Sequence, residues 1–260
     1  MVAPLFDIRA ATFCHSGRPP SLEGATLRVL GGERLLLLGA NGAGKSTLLN
    51  LLGGLLNPTS GEVLFENRPL SLSELEHNSE FRREFRSRVG ILFQNSDTQL
   101  FCPTVREEIA FGPLQFLSRD EALARTEKTL VTFDLEALAS EPPYALSGGE
   151  KKRVALAATL VMEPEILLLD EPTANLDPRT RDFFLDALSE FNRTPGRTVI
   201  TATHNLQIAP LLGSNCALLT PQHGIALHAP LEKVLENEDV LLQVNLVGRR
   251  MREQVSDRSH

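Results

Sequence analysis

The chain has 260 residues, 42% of them hydrophobic and 23% charged, the balance of a globular protein that buries the core of one large α/β domain or of one domain with an inserted subdomain. A formal net charge of -7 offers no basic surface for bulk nucleic-acid binding, and apolar runs such as Leu35 to Leu38 and Ile166 to Leu169 fall far short of the roughly 20 residues that span a bilayer. Neither a nucleic-acid partner nor direct membrane insertion is therefore expected, and the chain must reach any membrane through another protein. Cys14, Cys102 and Cys216 are widely separated with no CxxC spacing, which suits a reduced compartment and argues against a metal cluster. The opening MVAPLFDIRA lacks both a basic stretch and a long apolar stretch, so no secretion signal is expected.

In chain order, Leu5 to Phe13 reads as a strand, and Thr26 to Leu30 alternates before a Gly31-Gly32 turn. Leu35 to Leu38 is continuously apolar, as in a strand buried on both faces. A glycine-rich loop follows, then a helix from Ser46 to Leu56 that is apolar on most sides and hence buried. Glu62 to Glu66 is a short strand, and residues 71–88 carry Arg82, Arg83, Glu84, Arg86 and Arg88 at helical spacings, a solvated helix face. Apolar strands recur at Val89 to Phe93, Ile166 to Leu169 and Val199 to Thr203, with a mostly helical stretch over about 104–162. From Leu231 the tail is helical and charged, and the last dozen residues read as disordered. Each buried strand runs into a polar loop: the glycine loop after Leu38, Gln94 after Phe93, Asp170 and Glu171 after Leu169, His204 after Thr203. Ligands of open parallel sheets bind at the carboxyl ends of strands, so these segments converge on one nucleotide-binding edge.

Three motifs carry chemistry. Gly39-Ala40-Asn41-Gly42-Ala43-Gly44-Lys45-Ser46-Thr47 fits GxxxxGK[ST] between a buried strand and a helix. Its glycines let backbone N–H groups turn toward phosphate oxygens, with the helix dipole aimed at the same anion. Lys45 would neutralise β- and γ-phosphate charge, and the Ser46 hydroxyl would ligate Mg²⁺. Asp170 and Glu171 close a strand with two adjacent carboxylates, one for the Mg²⁺ shell and one to polarise a water for in-line attack on the γ-phosphate. Taken alone, Ser147-Gly148-Gly149-Glu150 suits an anion-binding helix N-terminus and an ordinary capped helix equally well. Lys151, Lys152 and Arg153 in the first turn of that helix oppose its dipole, which hints that the end faces negative charge.

Together the loop GANGAGKST, LSGGEKKR, ILLLDEPTANLD and His204 stand in an order and spacing that resemble the ATP-binding-cassette (ABC) family over about residues 5–247. The resemblance implies that ATP and Mg²⁺ are the cofactors. It implies that Gln94 senses Mg²⁺ and the attacking water, and that His204 contacts the γ-phosphate. It further implies that Ser147 and Gly149 touch the γ-phosphate of ATP held by a second ATPase subunit, while Asp177 links the two sites. An aromatic residue near the N-terminus stacks on adenine in this family; Phe13 is the candidate here, and a one-residue shift would put Cys14 in its place. Asn175 stands where a glycine is more usual.

The segments Phe93 to Phe101, Pro103-Thr104-Val105, Ala110 to Pro113, and the tail through Val244-Asn245-Leu246 look like the cobalt/nickel and energy-coupling-factor importer ATPases. In that group two ATPase subunits clasp an integral membrane scaffold protein, and a separate membrane protein captures a metal ion or vitamin. Leu100 and Phe101 would suit a docking groove if they face solvent, or the helical subdomain's core if they do not. The expected fold is an α/β P-loop core with a mostly parallel sheet, an N-terminal antiparallel β subdomain and an inserted helical subdomain over about 95–162. Residues 1–230 would form the ATPase domain and 231–260 a helical extension. The expected function is ATP hydrolysis that powers an importer from the cytoplasmic face of the cell membrane. The rival is an ABC ATPase with a mechanical role outside transport, which usually carries coiled-coil insertions or two cassettes in one chain; this sequence has neither.

Overall fold

The computed structural model describes residues 3–247. Two compact units divide it, one made of residues 3–77 with 198–247 and the other of residues 78–197.

The first unit opens with β1 (Phe6–Cys14) and β2 (Pro20–Val29), an antiparallel pair. Then come β3 (Arg34–Leu38), α1 (Lys45–Leu52), β4 (Ser60–Phe65), β5 (Arg68–Pro69) and α2 (Leu72–His77). One antiparallel sheet has the order β2-β1-β4-β5. A bulge around Ala10, at φ 45°, shifts its register, and Gly61 of β4 faces that bulge so closely that a Cβ would lie 2.3 Å from the Ala10 carbonyl oxygen. Leu35 to Leu38 are 0% exposed, the two-sided burial expected of their apolar run. Helix α1 stops four residues short of the expected Leu56 because Gly53 caps it, its N–H donating to the Leu49 carbonyl, and Gly54 turns left-handed at φ 63°.

The second unit begins with α3 (Ser79–Arg88), capped by the Asn78 side chain, which accepts from the Phe81 N–H. Phe81 and Phe85 face inward while Arg83, Glu84 and Arg86 are exposed, so the charged stretch is the solvated face predicted, broken at Asn78 into two helices. Strand β6 (Val89–Leu92) leads to three helices: α4 (Val105–Phe116), α5 (Arg119–Thr132) and α6 (Gly148–Leu160). Each begins at a hydroxyl cap, Thr104, Ser118 and Ser147 in turn, worth about 1 kcal/mol apiece. Strand β7 (Ile166–Asp170) lies parallel to β6, and α7 (Pro178–Arg193) follows, capped by Asp177.

The chain then returns to the first unit with β8 (Thr198–Thr203), α8 (Ala209–Leu212), β9 (Asn215–Leu219), β10 (Ile225–Pro230), α9 (Leu231–Leu235) and α10 (Glu238–Gln243). Here β3 is central, parallel to β8 on one side and β9 on the other, with β10 antiparallel beyond β9. Leu231, Val234, Leu241 and Val244 bury the apolar side of the C-terminal helices. The expected disorder of the last dozen residues lies outside the described residues. No helix among the described residues is long and apolar enough to cross a membrane.

Candidate functional site

In the first unit the phosphate loop leaves the end of β3 and enters α1 at Lys45. Gly42 and Gly44 hold φ of 83° and 100°, and a Cβ on Gly44 would lie 2.3 Å from the Ser21 carbonyl oxygen, so only glycine fits that cap. Helix α1 has no side-chain cap and no acid in its first turn, which leaves its leading amides and positive dipole end for an anion. Lys45 is 6% exposed, and its Nζ donates to the carbonyls of Gly39 at 2.9 Å and Ala40 at 3.1 Å. Asn41, Gly42 and Ser46 are exposed on the loop, Ala43 is buried beneath it, and Thr47 is half-buried with its hydroxyl 3.4 Å from that of Ser21. His204 follows β8 and is exposed.

Phe13 is packed into the sheet core at 9% exposure, its ring edge-on to His15 with centroids 4.9 Å apart. Cys14 is half-buried, and His15 is exposed. The ring that faces solvent in this stretch is therefore the imidazole of His15, a residue the sequence patterns did not single out.

In the second unit Gln94 is exposed just after β6. Its loop is pinned by Gln99, whose amide nitrogen donates to the Ile91 carbonyl at 3.1 Å and whose amide oxygen accepts from the Phe93 N–H at 3.1 Å. Asp170 ends β7 half-buried, and Glu171 is 7% exposed on a backbone at φ 45°. A tight turn follows in which the Ala174 N–H donates to the Glu171 carbonyl at 3.1 Å, and Asn175 adopts φ 59°. Asparagine tolerates the left-handed region better than most residues, which explains how it stands where glycine is more usual.

Ser147 caps α6 through a reciprocal box: its N–H and hydroxyl donate to Glu150 Oε2 at 2.8 and 2.6 Å, and the Glu150 N–H donates back to its Oγ at 3.4 Å. The Ser147 hydroxyl, then its amide, hold the Glu150 carboxyl below the usual carboxylate range. Gly149 abuts the start of α7, where a Cβ would lie 3.3 Å from Thr180 Oγ1. Asp177 accepts from the Thr180 hydroxyl at 2.6 Å and from the N–H groups of Arg179 and Thr180, and these bonds, the Thr180 hydroxyl first, lower its pKa.

The three cations that follow the Gly148-Gly149-Glu150 opening of α6 find their partners inside the chain. Lys151 pairs with Asp97 at 2.7 Å, and Arg153 lies 3.6 Å from the Asp134 carboxylate and over the Phe183 ring. Lys152 donates to the Ala174 carbonyl at 2.7 Å. The helix starts at Gly148 rather than Lys151, so Lys152 and Arg153 lie beyond its first turn, and with these partners the cations give no independent sign of an external anion. Gln94, Asp97, Gly148, Lys152, Ala174 and Asn175 line one cleft of about 310 Å³ in this unit.

Comparison with known proteins follows the same outline. The ABC transporter family model matches residues 22–174. The nickel import ATP-binding protein NikO of Rhodobacter capsulatus is 42% identical, the match covering 95% of this chain and 97% of that protein. Among solved structures, cbiO1 of Clostridium perfringens, part of the ABC transporter complex cbiONQ, superposes with a TM-score of 0.75 at 34% identity, covering 98% of this chain and 99% of that one. A dimeric ATP-binding cassette in a post-hydrolysis state with ADP and phosphate gives a TM-score of 0.75 at 28% identity, covering 87% and 98%. The chain belongs to the ABC transporter family of ATP-binding proteins, and its fold is the α/β P-loop cassette with an antiparallel N-terminal sheet and added helices. It binds ATP, is an ATPase coupled to transport, and is of the kind that serves as the ATPase subunit of an importer.

Proposed function

We propose that this subunit powers uptake of a metal ion or vitamin from the cytoplasmic face of the cell membrane, as one half of a pair of ATPases that clasp a membrane scaffold protein served by a substrate-capture protein. The observation that carries the reading is the end-to-end similarity to a nickel import ATPase, 42% identical over 95% of this chain.

In this reading Lys45 and the amides of residues 39–47 hold the phosphates, and His15 rather than Phe13 offers its ring to adenine. The family resemblance implies Asp170, the Ser46 hydroxyl and the Gln94 amide oxygen as the metal's donors; all are oxygens, which suits Mg²⁺ better than a softer metal. When bound, that ion would offset charge on the β- and γ-phosphates. Glu171, shielded from bulk water, polarises the attacking water, and Gln94 and His204 orient it and the γ-phosphate. Ser147 and Gly149 meet the nucleotide of the second subunit, with Asp177 linking the two sites. ATP then drives closure by its differential contacts in the closed dimer.

Phe101 is 67% exposed, edge-on to the 45% exposed Phe111 at 4.9 Å, with the half-exposed Leu114 on the same helix as Phe111. Leu100 is half-buried. Of the two candidates for a docking surface, Phe101 therefore has the better claim, as the centre of an apolar patch for the scaffold. Affinity purification from the native membrane tests the reading: integral membrane proteins should co-elute with the ATPase in fixed ratio. Recovery of the chain with soluble proteins alone would favour a mechanical role outside transport.

A further inference from the structure

We propose that Lys152 is a positioning residue for hydrolysis, clamping the backbone turn that carries Glu171 to the helix that begins at Ser147. The proposal rests on reading Glu171 as the group that activates water and Ser147 as a contact to the second subunit's nucleotide. The Lys152 ammonium donates to the Ala174 carbonyl at 2.7 Å and lies 3.4 Å from the Glu171 carbonyl, so it bridges both ends of the turn that the Ala174 N–H closes onto Glu171. That turn is one a chain does not adopt unaided. Glu171 and Asn175 both sit at positive φ, 45° and 59°, and neither is glycine. Such conformations persist only where their surroundings over-determine them, and they cluster where geometry serves a function.

A lysine is a costly way to make these bonds. Burial lowers its pKa, with the Glu171 charge acting in the opposite direction. Its neighbours Lys151 and Arg153 are each matched by a carboxylate, whereas Lys152 reaches backbone carbonyls across to the segment after β7. The clamp therefore joins two segments with different duties. Ser147 lies five residues before it on the same helix, and the Glu171 turn is the segment it holds. A shift of α6 when Ser147 engages the second subunit's nucleotide would pass through Lys152 to this subunit's own water-activating carboxylate.

The test compares wild type, Lys152→Met and Lys152→Arg, each also in a Glu171→Gln background, as the full chain with ATP and Mg²⁺. Methionine keeps the apolar stem and removes the ammonium. Lys152→Met should lower kcat at least about tenfold, the scale of a catalytic group held off its position, with ATP affinity within about twofold because the phosphate loop is untouched. Lys152→Arg should restore most of kcat. In the Glu171→Gln background the methionine variant should cause no further loss, because the two residues act in one step. If the methionine variant does not fold, Lys152→Gln, which still donates one hydrogen bond, takes its place in the same comparison. Normal turnover in Lys152→Met beside an inactive Glu171→Gln overturns the proposal alone. A full additional loss in the double variant also overturns it, since Lys152 then acts elsewhere. Normal turnover in Glu171→Gln overturns the reading of Glu171 itself, and the proposal with it.

Discussion

Lys45 Nζ donates to the Gly39 carbonyl oxygen at 2.9 Å, so the phosphate loop closes on the cation that it presents to nucleotide. Neutral carbonyls hold an ammonium less strongly than phosphate does, so ATP can draw the side chain away from Gly39 and Ala40. Lys45→Ala should weaken ATP binding about 10- to 100-fold, the equivalent of one charge-assisted bond of roughly 1.5–3 kcal/mol. Equilibrium titration with a fluorescent ATP analogue reads this directly, and wild-type affinity would remove Lys45 from the phosphate site.

Glu171→Gln separates binding from chemistry. The amide keeps the size of the side chain but loses the base, so turnover should fall at least about a hundredfold while ATP is retained. Single-turnover hydrolysis and nucleotide binding on the same preparation check both halves. Near-normal turnover would assign the water to another group.

Acid stability should depend on Asp7. This carboxylate is 4% exposed and pairs with Arg9 at 2.8 Å and Arg28 at 3.3 Å. Burial alone would raise its pKa, but the bonds and charge of Arg9, then of Arg28, outweigh it and hold the pKa below 3.8. A depressed carboxylate stabilises the fold above its unfolded value and loses that contribution as pH falls through its folded value. Asp7→Asn should therefore cost about 1 kcal/mol near pH 7, a modest figure because Arg9 and Arg28 are both well exposed. The gap to wild type should narrow below about pH 3.8. Urea melts from pH 7 to 3 measure it, and a gap that stays constant would contradict the assigned shift.

The motifs with strict local spacing were legible because their chemistry is local: the loop 39–47 and the strand end at Asp170 and Glu171 stand where the patterns place them. The rest depended on register and on contacts distant in sequence. Bulges near Ala10 disturb the alternation of β1 and turn Phe13 inward, which no period-two reading of the segment reveals. Gln99 acts through the Ile91 carbonyl eight residues back, and Lys152 through Ala174 twenty-two residues on. The Ser147–Glu150 box is different. It is a local pattern, the S-x-x-E signature of a capped helix start, and needs no contact distant in sequence.

Phe101→Glu should uncouple the subunit from its membrane partner without harming the nucleotide site. The ring is largely exposed, so its replacement costs the fold little, while a carboxylate buried in an apolar interface would cost several-fold or more in affinity. Co-expression with the scaffold protein followed by pull-down should recover much less of the variant, with its ATP affinity unchanged. Equal recovery would place the docking surface elsewhere.

The last prediction concerns how many chains build one active site. If each ATP lies between the phosphate loop of one subunit and Ser147 of the other, Lys45→Ala and Ser147→Arg disable opposite halves of a site. Each variant alone carries its lesion in both sites of a homodimer and should be inactive. In a mixed dimer one interface combines both lesions, and the other combines an intact Lys45 with an intact Ser147. Mixing should then restore ATPase activity well above either parent, provided that one intact site turns over. The scaffold protein belongs in the assay, because it holds the two ATPases together at concentrations where they would otherwise separate. Differently tagged variants and sequential pull-down establish that mixed dimers have formed. Were the site built within one chain, every site in the mixture would keep a lesion, and confirmed mixed dimers would be no more active than the parents.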